Sequence, residues 1–372
     1  MKRTVFSFFL LMSFVSAVAQ QRTIVVTNSL PVVRTDLVEI PWSLLLNAYP
    51  SLDTSNFKVI NSVTKKELPF QLEYKAEENI QQLLVRAVIP AKGNISLQLV
   101  KGNPKPIVSK TFARYVPERK DDFAWENDRI AHRMYGKALQ KTPKEMAYGV
   151  DVWVKRTDSL VINKRYKLGK YHVDYGDGLD YYHVGLTLGA GGIAPYINDT
   201  IWYAGTYSEW EILDNGPLRT SFRLRYDEWT AAGRKIKMTN TISIDAGSQL
   251  SKNELKFETD GSLPVVAGII KRKEAGEMLL NEKDGLLAYW EPKHGADGTT
   301  GVAVLFSTPV TQMMVKQGQL LAESIVLNNE PFIYYNGAVW DKAGIIQSAK
   351  DWFDYLQQFQ RQLNNKLKIT IR

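Results

Sequence analysis

The stretch GPLRTSFRLRYDEWTAAGRKIKMTNTISIDAGSQLSKNELKF, residues 216–257, decides the fold class of this 372-residue chain. In its first half, side chains suited to a buried face recur at every second position, at Leu218, Thr220, Phe222, Leu224 and Tyr226. After a glycine-containing turn the same period returns, at Ile236, Met238, Ile242 and Ile244. A period of two is typical of strands with one buried face, so the stretch predicts long antiparallel strands.

Shorter strand patterns precede this stretch. Between residues 23 and 100 they read TIVVTN, LVEIP, FKVINSV, LPFQLEY, QQLLVRAVIP and ISLQLV, separated by turn residues. They predict a small N-terminal β-sandwich over residues 20–110, which ends in the proline-containing connector KGNPKPIVSK. The remaining residues, 111–372, predict a larger and mainly antiparallel β domain.

A short helix is predicted near the C-terminus. In IIQSAKDWFDYLQQFQRQL, residues 345–363, apolar side chains share one helical face, at Ala349, Trp352, Leu356, Phe359 and Leu363. The following KLKITIR has the pattern of a strand. The predicted fold class is therefore mainly β, with one C-terminal helix.

The first residues have the pattern of a cleaved secretory signal. MKRTVFSFFLLMSFVSAVAQQ contains a basic start, a short apolar run and small residues that end at Ala19. We therefore expect residues 1–19 to be a signal peptide and the protein to be periplasmic or secreted. The chain has no cysteine, which excludes disulfides and the lipid-anchored cysteine of a lipoprotein. No segment has the length of a membrane span.

The formal net charge of +8 carries little functional information, and two of its positive charges are Lys2 and Arg3 of the predicted signal. Lys and Arg are scattered rather than clustered, and an exported protein has little access to nucleic acid. We therefore expect no nucleic-acid partner. The charge is compatible with an anionic saccharide and equally with an ordinary solvated surface.

The motif WENDRIAHRMYG, residues 125–136, is the first candidate site. If this run is helical, the guanidinium groups of Arg129 and Arg133 lie on one face, where they can bind a uronate carboxylate and screen its charge during catalysis. Trp125, Glu126 and Asp128 are the accompanying substrate-binding candidates. The alternative is a salt-bridged surface helix.

The motif YHVDYGDGLDYYHVG, residues 171–185, is the second candidate site. Removing the C5 proton of a uronic acid needs a base and expelling the C4 group needs an acid. We expect His172 to be the base and Tyr182 the acid. The further substrate-binding candidates of this motif are Asp174, Tyr175, Tyr181 and His183. The alternative is a hydrogen-bonded turn without catalytic function.

Four ordered segments carry a resemblance to a known family: ERKDDFAWENDRIAHRMYGKAL, GVDVWVKR, YHVDYGDGLDYYHVGLTLGAGG and YNGAVWDKAG. Together they resemble the exported Bacteroidetes proteins grouped as domain of unknown function family 4861. The resemblance implies a galactose-mutarotase-like supersandwich over residues 111–372 and a role in the breakdown of uronic-acid-containing glycans. It also implies an aromatic residue where this chain has His132, so His132 is not taken as a shared catalytic group.

Other chemistries remain open in the sequence. His172 and Asp174 with His294 have the residue types of an iron site, and Asp174, Asp177 and Asp180 those of a calcium site. We predict no cofactor and leave a divalent metal open. Glycoside hydrolysis needs two carboxylates, for which the candidates are Glu126, Asp128, Asp151, Asp174, Glu209 and Glu211. The serine-nucleophile motif G-x-S-x-G does not occur.

Tryptophan rings are the remaining binding candidates, because flat aromatic faces stack on sugars. The candidates are Trp125, Trp153, Trp202 and Trp340. The sequence therefore favours an exported carbohydrate-active enzyme that performs β-elimination, as a lyase or dehydratase, on oligosaccharides or polysaccharides containing uronic acid. The alternatives are a noncatalytic glycan-binding or mutarotase-like accessory protein and a glycoside hydrolase. Nothing in the sequence predicts the oligomeric state.

Overall fold

The computed structural model describes residues 22–308 and 310–372. The predicted signal peptide, residues 1–19, lies outside the described residues. Within the described residues, no helix is both long and apolar enough to cross a membrane.

Short antiparallel strands make up the first part of the chain. They are β1 (Ile24–Thr27), β2 (Arg34–Pro41), β3 (Phe57–Asn61), β4 (Glu67–Leu68), β5 (Phe70–Glu73), β6 (Gln82–Ile89) and β7 (Asn94–Lys101), with helix α1 (Trp42–Ala48) between β2 and β3.

The next segment contains β8 (Thr111–Val116), β9 (Asp122–Asn127), β10 (Ile130–Met134), β11 (Asp151–Lys155), helix α2 (Ile162–Leu168) and β12 (Gly178–Leu179). The strands that follow are β13 (Ala190–Ile197), β14 (Thr200–Ile201), β15 (Glu209–Asn215), β16 (Arg219–Ala231), β17 (Arg234–Asp245), β18 (Leu250–Glu258), β19 (Ser262–Ile270), β20 (Glu277–Asn281), β21 (Leu286–Trp290), β22 (Thr300–Phe306), β23 (Gln312–Lys316), β24 (Gln319–Leu327) and β25 (Phe332–Trp340). The last elements are helix α3 (Ala349–Asn364) and strand β26 (Lys368–Ile371).

The large β region is built from three antiparallel sheets. An eight-stranded sheet has the order β15-β16-β17-β18-β25-β22-β21-β20, and two five-stranded sheets have the orders β12-β11-β10-β9-β8 and β14-β13-β19-β24-β23. Side chains from all three sheets, including Trp125, Phe222 and Val265, meet in one hydrophobic core. The predicted mainly antiparallel β fold is confirmed.

The stretch that opens the sequence analysis forms the centre of the eight-stranded sheet. Phe222 pairs with Ile242 across β16 and β17, and both side chains are fully buried. The two strands are joined by Ala232 and Gly233, whose φ angles of 48° and 81° are those of the tight turn that favours a hairpin. The predicted period of two is therefore the buried face of a hairpin.

Helix α3 covers the outer face of the eight-stranded sheet, as its predicted apolar face requires. Ser348 caps the helix by accepting a hydrogen bond from the backbone N–H of Asp351. Trp352 is fully buried, and its indole N–H donates to the carbonyl oxygen of Val302 at 3.3 Å. The predicted C-terminal helix is confirmed.

The first sandwich has its own hydrophobic core between two small sheets. One sheet has the order β26-β1-β7-β3-β4 and the other β2-β6-β5. Strand β26 pairs with β1 in the register Ile24 to Ile371. The last strand therefore belongs to the sheet of the first sandwich, and not to the supersandwich expected over residues 111–372.

Arg219 joins the first sandwich to the eight-stranded sheet. Its Nη2 lies 2.7 Å from Glu39 of β2, its Nη1 lies 3.5 Å from Glu73 of β5, and its Nε lies 2.6 Å from Asp245 of β17. Next to it, the side-chain amide of Gln71 donates to the carbonyl oxygen of Arg219 and accepts from its backbone N–H, each at 2.9 Å. Because Arg219 is almost fully buried, its charge has to be matched by these carboxylates.

We predict that Arg219→Met lowers the free energy of unfolding by about 3 kcal/mol, because it leaves the buried carboxylate of Glu73 without this cation. The measurement is urea unfolding followed by tryptophan fluorescence. Arg223→Met is the matched control on the same strand, since Arg223 pairs with the half-exposed Glu211 at 2.9 Å and surface pairs contribute less than about 1 kcal/mol. Equal losses for the two variants would contradict the prediction.

Candidate acid-base site

The motif at residues 125–136 is a β-hairpin and not the expected helix. Strands β9 and β10 pair with His132 opposite Trp125, and Asn127 Oδ1 closes the turn by accepting from the backbone N–H groups of Arg129 and Ile130 at 2.8 and 3.0 Å. The helical interpretation considered for this run does not hold, because both faces of the hairpin are buried. A strand buried on both sides has no polar face, and so it lacks the period of two by which a strand is recognised.

The hairpin separates the two arginines that a helix would have brought together. Arg129 lies in the turn, where its Nε is 4.0 Å from Asp128. Arg133 lies on β10 and is buried among other carboxylates. The expectation that Arg129 and Arg133 present their guanidinium groups on one face is therefore wrong.

Arg133 is the centre of a buried ionic cluster. Its Nε donates to Asp151 Oδ2 at 2.9 Å, its Nη2 to Asp180 Oδ2 at 3.2 Å and its Nη1 to Asp122 Oδ2 at 3.5 Å. These carboxylates come from β11, from the loop after β12 and from β9. The guanidinium also lies over the ring of Trp153, 5.2 Å from its centroid. The cluster therefore fixes the loop after β12 against the sheet.

Burial controls the protonation of this cluster. Burial raises the pKa of Asp122 to about 6 against the attraction of Arg133. Burial and the neighbouring charge of Asp151 raise the pKa of Asp180 well above its ordinary value. Although burial opposes its charge, the same carboxylates, Asp151 first, hold the pKa of Arg133 above its ordinary value. Burial thus disfavours the charged forms of Asp122 and Asp180, which lie next to the same guanidinium.

His172 lies on this cluster with its imidazole in solvent. Its Nδ1 is 2.8 Å from the backbone carbonyl oxygen of Asp180 and 3.7 Å from Asp180 Oδ2, and 68% of its side chain is exposed. A carbonyl oxygen can only accept, so Nδ1 carries the proton and Nε2 of the neutral ring keeps its lone pair. A histidine held in this way can accept a proton at Nε2, while the backbone carbonyl oxygen of Asp180 holds Nδ1–H.

The loop that carries His172 is held in a conformation that needs glycine. Gly178 has a φ of +107°, and a Cβ there would lie 2.1 Å from the carbonyl oxygen of Val154. Asp174 Oδ1 accepts from the N–H groups of Gly176 and Gly178 at 2.8 and 3.0 Å. The backbone N–H of Asp180 donates to the carbonyl oxygen of Tyr171 at 2.8 Å, so His172 lies inside a closed turn.

Two residues that the sequence analysis did not single out lie beside His172. The ring of Tyr171 is 4.7 Å from the imidazole and stacks on Trp153 at 4.9 Å. Arg119 donates from Nε to the hydroxyl of Tyr171 at 3.2 Å, and its Nη1 is 3.9 Å from Asp122 Oδ1. The Arg119 side chain is 25% exposed, and its Nη1 is buried without a hydrogen-bond partner among the described residues. In the sequence, Arg119 stands between Glu118 and Lys120 and resembles an ordinary surface charge.

Tyr182, the expected acid, points into the core. It is buried, its hydroxyl donates to the carbonyl oxygen of Gly189 at 3.1 Å, and Arg272 lies over its ring at 4.6 Å. A hydroxyl in this position does not reach a ligand at His172. The assignment of Tyr182 as the acid is therefore corrected.

Several expected substrate-binding side chains are also part of the interior. Trp125 is 1% exposed and donates from its indole to Ser251 Oγ at 3.0 Å. Glu126 forms a fully buried ion pair with Lys155 at 2.6 Å and accepts from the N–H groups at the start of α2. Trp153 is covered by Tyr171. These three residues stabilise the fold. The expectation that they contact a sugar is therefore wrong.

Trp340 is buried as well, and its indole donates to the carbonyl oxygen of Asp297 at 2.7 Å. The fourth expected ring, Trp202, is partly buried and donates to the carbonyl oxygen of Ile197 at 3.2 Å. Asp128 accepts from the backbone N–H of Gly247 at 2.6 Å. The expectation that Trp340 stacks on a sugar is therefore wrong, because its ring is buried.

The other members of the second motif lie around the same loop. Tyr175 and His183 are exposed. Asp174 pairs with Arg156. Tyr181 stacks on His294 at 5.1 Å and shares a hydrogen bond of 2.5 Å with Thr300 Oγ1. These contacts bring Tyr181 and His294 together on one side of the loop, next to the start of β22.

The carboxylates considered for metal binding or hydrolysis are engaged by cations. Asp177 lies 2.6 Å from Lys164, and Glu211 lies 2.9 Å from Arg223. The histidine considered as a metal ligand with them, His294, lies 3.3 Å from Asp297. Glu209 and Glu211 lie on β15, in a different sheet from Asp151. In residues 22–308 and 310–372, no group of three His, Cys, Asp or Glu side chains is arranged to hold a metal ion.

Comparison with known proteins identifies the family. The Domain of unknown function (DUF4861) matches residues 26–369. The chain belongs to the DUF4861 family. A curated relative, the Uncharacterized protein P7 of Formosa agariphila, is 29% identical over 377 residues, which are 95% of this chain and 94% of the relative. The predicted family resemblance is confirmed.

Solved structures share the fold of this DUF4861 protein. An alpha-mannosidase from Enterococcus faecalis has a TM-score of 0.51 and 9% identity over 94% of this chain and 46% of its own. A protein in the glycosyl hydrolase family 38 from the same organism has a TM-score of 0.54 and 10% identity over 95% of this chain and 47% of its own. The chain thus spans about half the length of these structures. At such identity the likeness shows the fold.

We predict that Asp122→Asn flattens the dependence of stability on pH. The pKa of Asp122 is about 6 in the fold, against an ordinary 3.8, so its contribution to stability is complete below pH 3.8 and is lost as the pH rises through 6. The free energy of unfolding of the wild type should therefore fall by up to about 3 kcal/mol more than that of the variant over this range.

Urea unfolding at pH values from 4 to 7 measures this difference. Asp158→Asn is the matched control, because Asp158 is an exposed carboxylate that pairs with Lys110. Parallel pH curves for the wild type and Asp122→Asn would contradict the prediction.

Proposed function

We propose that this DUF4861 protein is a carbohydrate-active enzyme that acts by β-elimination on uronic-acid-containing oligosaccharides. The observation that carries the proposal is the orientation of His172, whose Nδ1 is held by a carbonyl oxygen while the ring stays in solvent. A second support is the name of two proteins that share the fold, an alpha-mannosidase and a glycosyl hydrolase family 38 protein, both of which refer to saccharides.

His172 Nε2 is the proposed base that takes the C5 proton of the uronate. The electron pair of the C5–H bond forms the C4–C5 double bond, and the C4–O bond breaks. The backbone carbonyl oxygen of Asp180, 2.8 Å from Nδ1, accepts from the ring and stabilises the positive charge that the ring then carries. Arg133 acts as a positioning residue, because it fixes Asp180 without reaching solvent.

Arg119 and Tyr171 take the roles that the sequence analysis gave to other residues. The guanidinium of Arg119 is the proposed partner of the uronate carboxylate, whose charge grows as C5 loses its proton. The Tyr171 hydroxyl accepts from Arg119 Nε at 3.2 Å, so its own proton remains available for the leaving oxygen. The leaving group is either the next sugar, as in a lyase, or water, as in a dehydratase.

The test follows the ultraviolet absorbance of the unsaturated uronate in mixtures of the protein with uronic-acid oligosaccharides. His172→Ala should lower kcat at least about 100-fold, the usual contribution of a positioned base, with an unchanged melting temperature. His294→Ala is the matched control, since this histidine is equally exposed and has no role in the proposed step. Unchanged turnover in His172→Ala would reject the base assignment. Tight binding of the oligosaccharides without any absorbing product would instead favour the noncatalytic glycan-binding protein.

Arg119→Gln should lower kcat/KM by about 100-fold, because the developing charge on the carboxylate loses its cation. Arg119→Lys should recover part of this loss, since it restores the charge without the planar pair of donors. Initial rates at several oligosaccharide concentrations distinguish the variants. An equal loss in the lysine and glutamine variants would show that charge at this position is irrelevant.

A further inference from the structure

A small cavity lies on the other face of the β8–β12 sheet from the acid-base site. Arg133 and Met134 are consecutive on β10, so their side chains point to opposite faces. Arg133 faces the ionic cluster, whereas Met134 lines a cavity of about 20 Å³ between this sheet and the eight-stranded sheet. A space of this size holds one group as large as a water molecule.

The floor of the cavity is the end of a chain of three buried amides. Asn336 Nδ2 donates to the carbonyl oxygen of Ala190 at 2.8 Å, Asn253 Nδ2 donates to Asn336 Oδ1 at 2.7 Å, and Asn240 Nδ2 donates to Asn253 Oδ1 at 3.1 Å. All three asparagines are at most 2% exposed. They lie on β25, β18 and β17, which are neighbours in the eight-stranded sheet.

The direction of this chain is fixed by its last member. The carbonyl oxygen of Ala190 can only accept, so Asn336 must present its amide N–H₂ to it and its oxygen to Asn253. The same reasoning orients Asn253 and then Asn240. The oxygen of Asn240 therefore remains as a free acceptor, and among the described residues it has no hydrogen-bond partner. A buried acceptor without a partner carries a free-energy cost that an incoming donor relieves.

A donor without a strong acceptor lines the same cavity. The hydroxyl of Tyr226 donates to the sulfur of Met134 at 3.4 Å, and a thioether is a weak acceptor. Burial raises the pKa of Tyr226, so the hydroxyl keeps its proton. A group that both donates and accepts, such as an alcohol hydroxyl, would satisfy Asn240 Oδ1 and Tyr226 at once.

The rim of the cavity is aromatic and uncharged. Tyr148 and Tyr203 stack at 4.9 Å with their rings 20° apart, and both are partly exposed. Among the described residues, no charged side chain lines the cavity. A carboxylate or phosphate would therefore lose its hydration here without gaining a counter-charge, whereas a neutral sugar ring can rest on the tyrosine faces.

We infer that this cavity is a binding site for a neutral sugar unit, which inserts one hydroxyl between Asn240 and Tyr226 while its ring contacts Tyr148 and Tyr203. The site is separate from the acid-base site, and the inference does not depend on β-elimination. It assigns a function to the three buried asparagines, which the proposed reaction does not use.

The test is calorimetric titration of the protein with the methyl glycosides of glucose, galactose, mannose and xylose. At least one glycoside should bind, and Tyr226→Phe should weaken its binding about tenfold, the effect of one hydrogen bond. Tyr148→Ala should weaken it further by removing the stacking surface. Substitution of Asn240 is avoided, because it would also remove the partner of Asn253.

Tyr196→Phe is the matched control, because its hydroxyl donates to Asp199 at the surface. It should bind like the wild type, and so should His172→Ala, which keeps this test distinct from that of the reaction. Crystals soaked in the bound glycoside should have a sugar hydroxyl within hydrogen-bond distance of Asn240. The inference would be overturned if none of the four glycosides binds, or if Tyr226→Phe and Tyr148→Ala bind the glycoside as tightly as the wild type. A water molecule without a sugar in the cavity of the soaked crystals would also overturn it.

Discussion

The guanidinium of Arg133 lies out of water, so its charge has to be balanced by groups inside the protein. Asp122, Asp151 and Asp180 contact it from three separate segments of the chain. A buried ion network of this kind contributes geometry more than net stability, since desolvation offsets much of the attraction. Its consequence is positional: Asp180 is fixed on Arg133, and the backbone carbonyl of Asp180 fixes His172. The candidate site therefore depends on a charge that never meets the solvent.

Much of the fold could be predicted from the sequence, because most strands and α3 have one buried face. Elements with one buried and one exposed face have a periodic sequence, as in the alternation from Leu218 to Tyr226 and the helical face from Ala349 to Leu363. The hairpin of β9 and β10 has no such period. The large core covers one of its faces, and α2 with Tyr166 and Trp153 covers the other. Its charged residues, such as Glu126, are paired in the interior and not solvated, so spacing alone could not identify the strand.

Less of the candidate site could be predicted. The motif at 171–185 did point to His172, because several polar side chains with glycines indicate a functional turn. The roles proposed for Arg119 and Tyr171 depend on contacts between residues about fifty positions apart in the chain, which local spacing does not encode. Tyr182 and Trp125 were predicted at the site and lie in the core. The sequence does not distinguish an aromatic residue in a core from one on a binding surface. The hydrogen-bonded series of Asn240, Asn253 and Asn336 could not be predicted either, because the three residues come from three different strands.

The pairing of β26 with β1 sets an order on the assembly of the molecule. Thr23 and Arg372 exchange backbone hydrogen bonds of 2.9 Å in both directions, so an edge of the first sheet is filled by a strand that follows the whole supersandwich in the chain. During synthesis, β1 therefore presents unpaired backbone groups until more than three hundred further residues have been made. Such a long-range pairing closes late. The first sandwich, although it begins the chain, is the part of the molecule whose sheet is completed last.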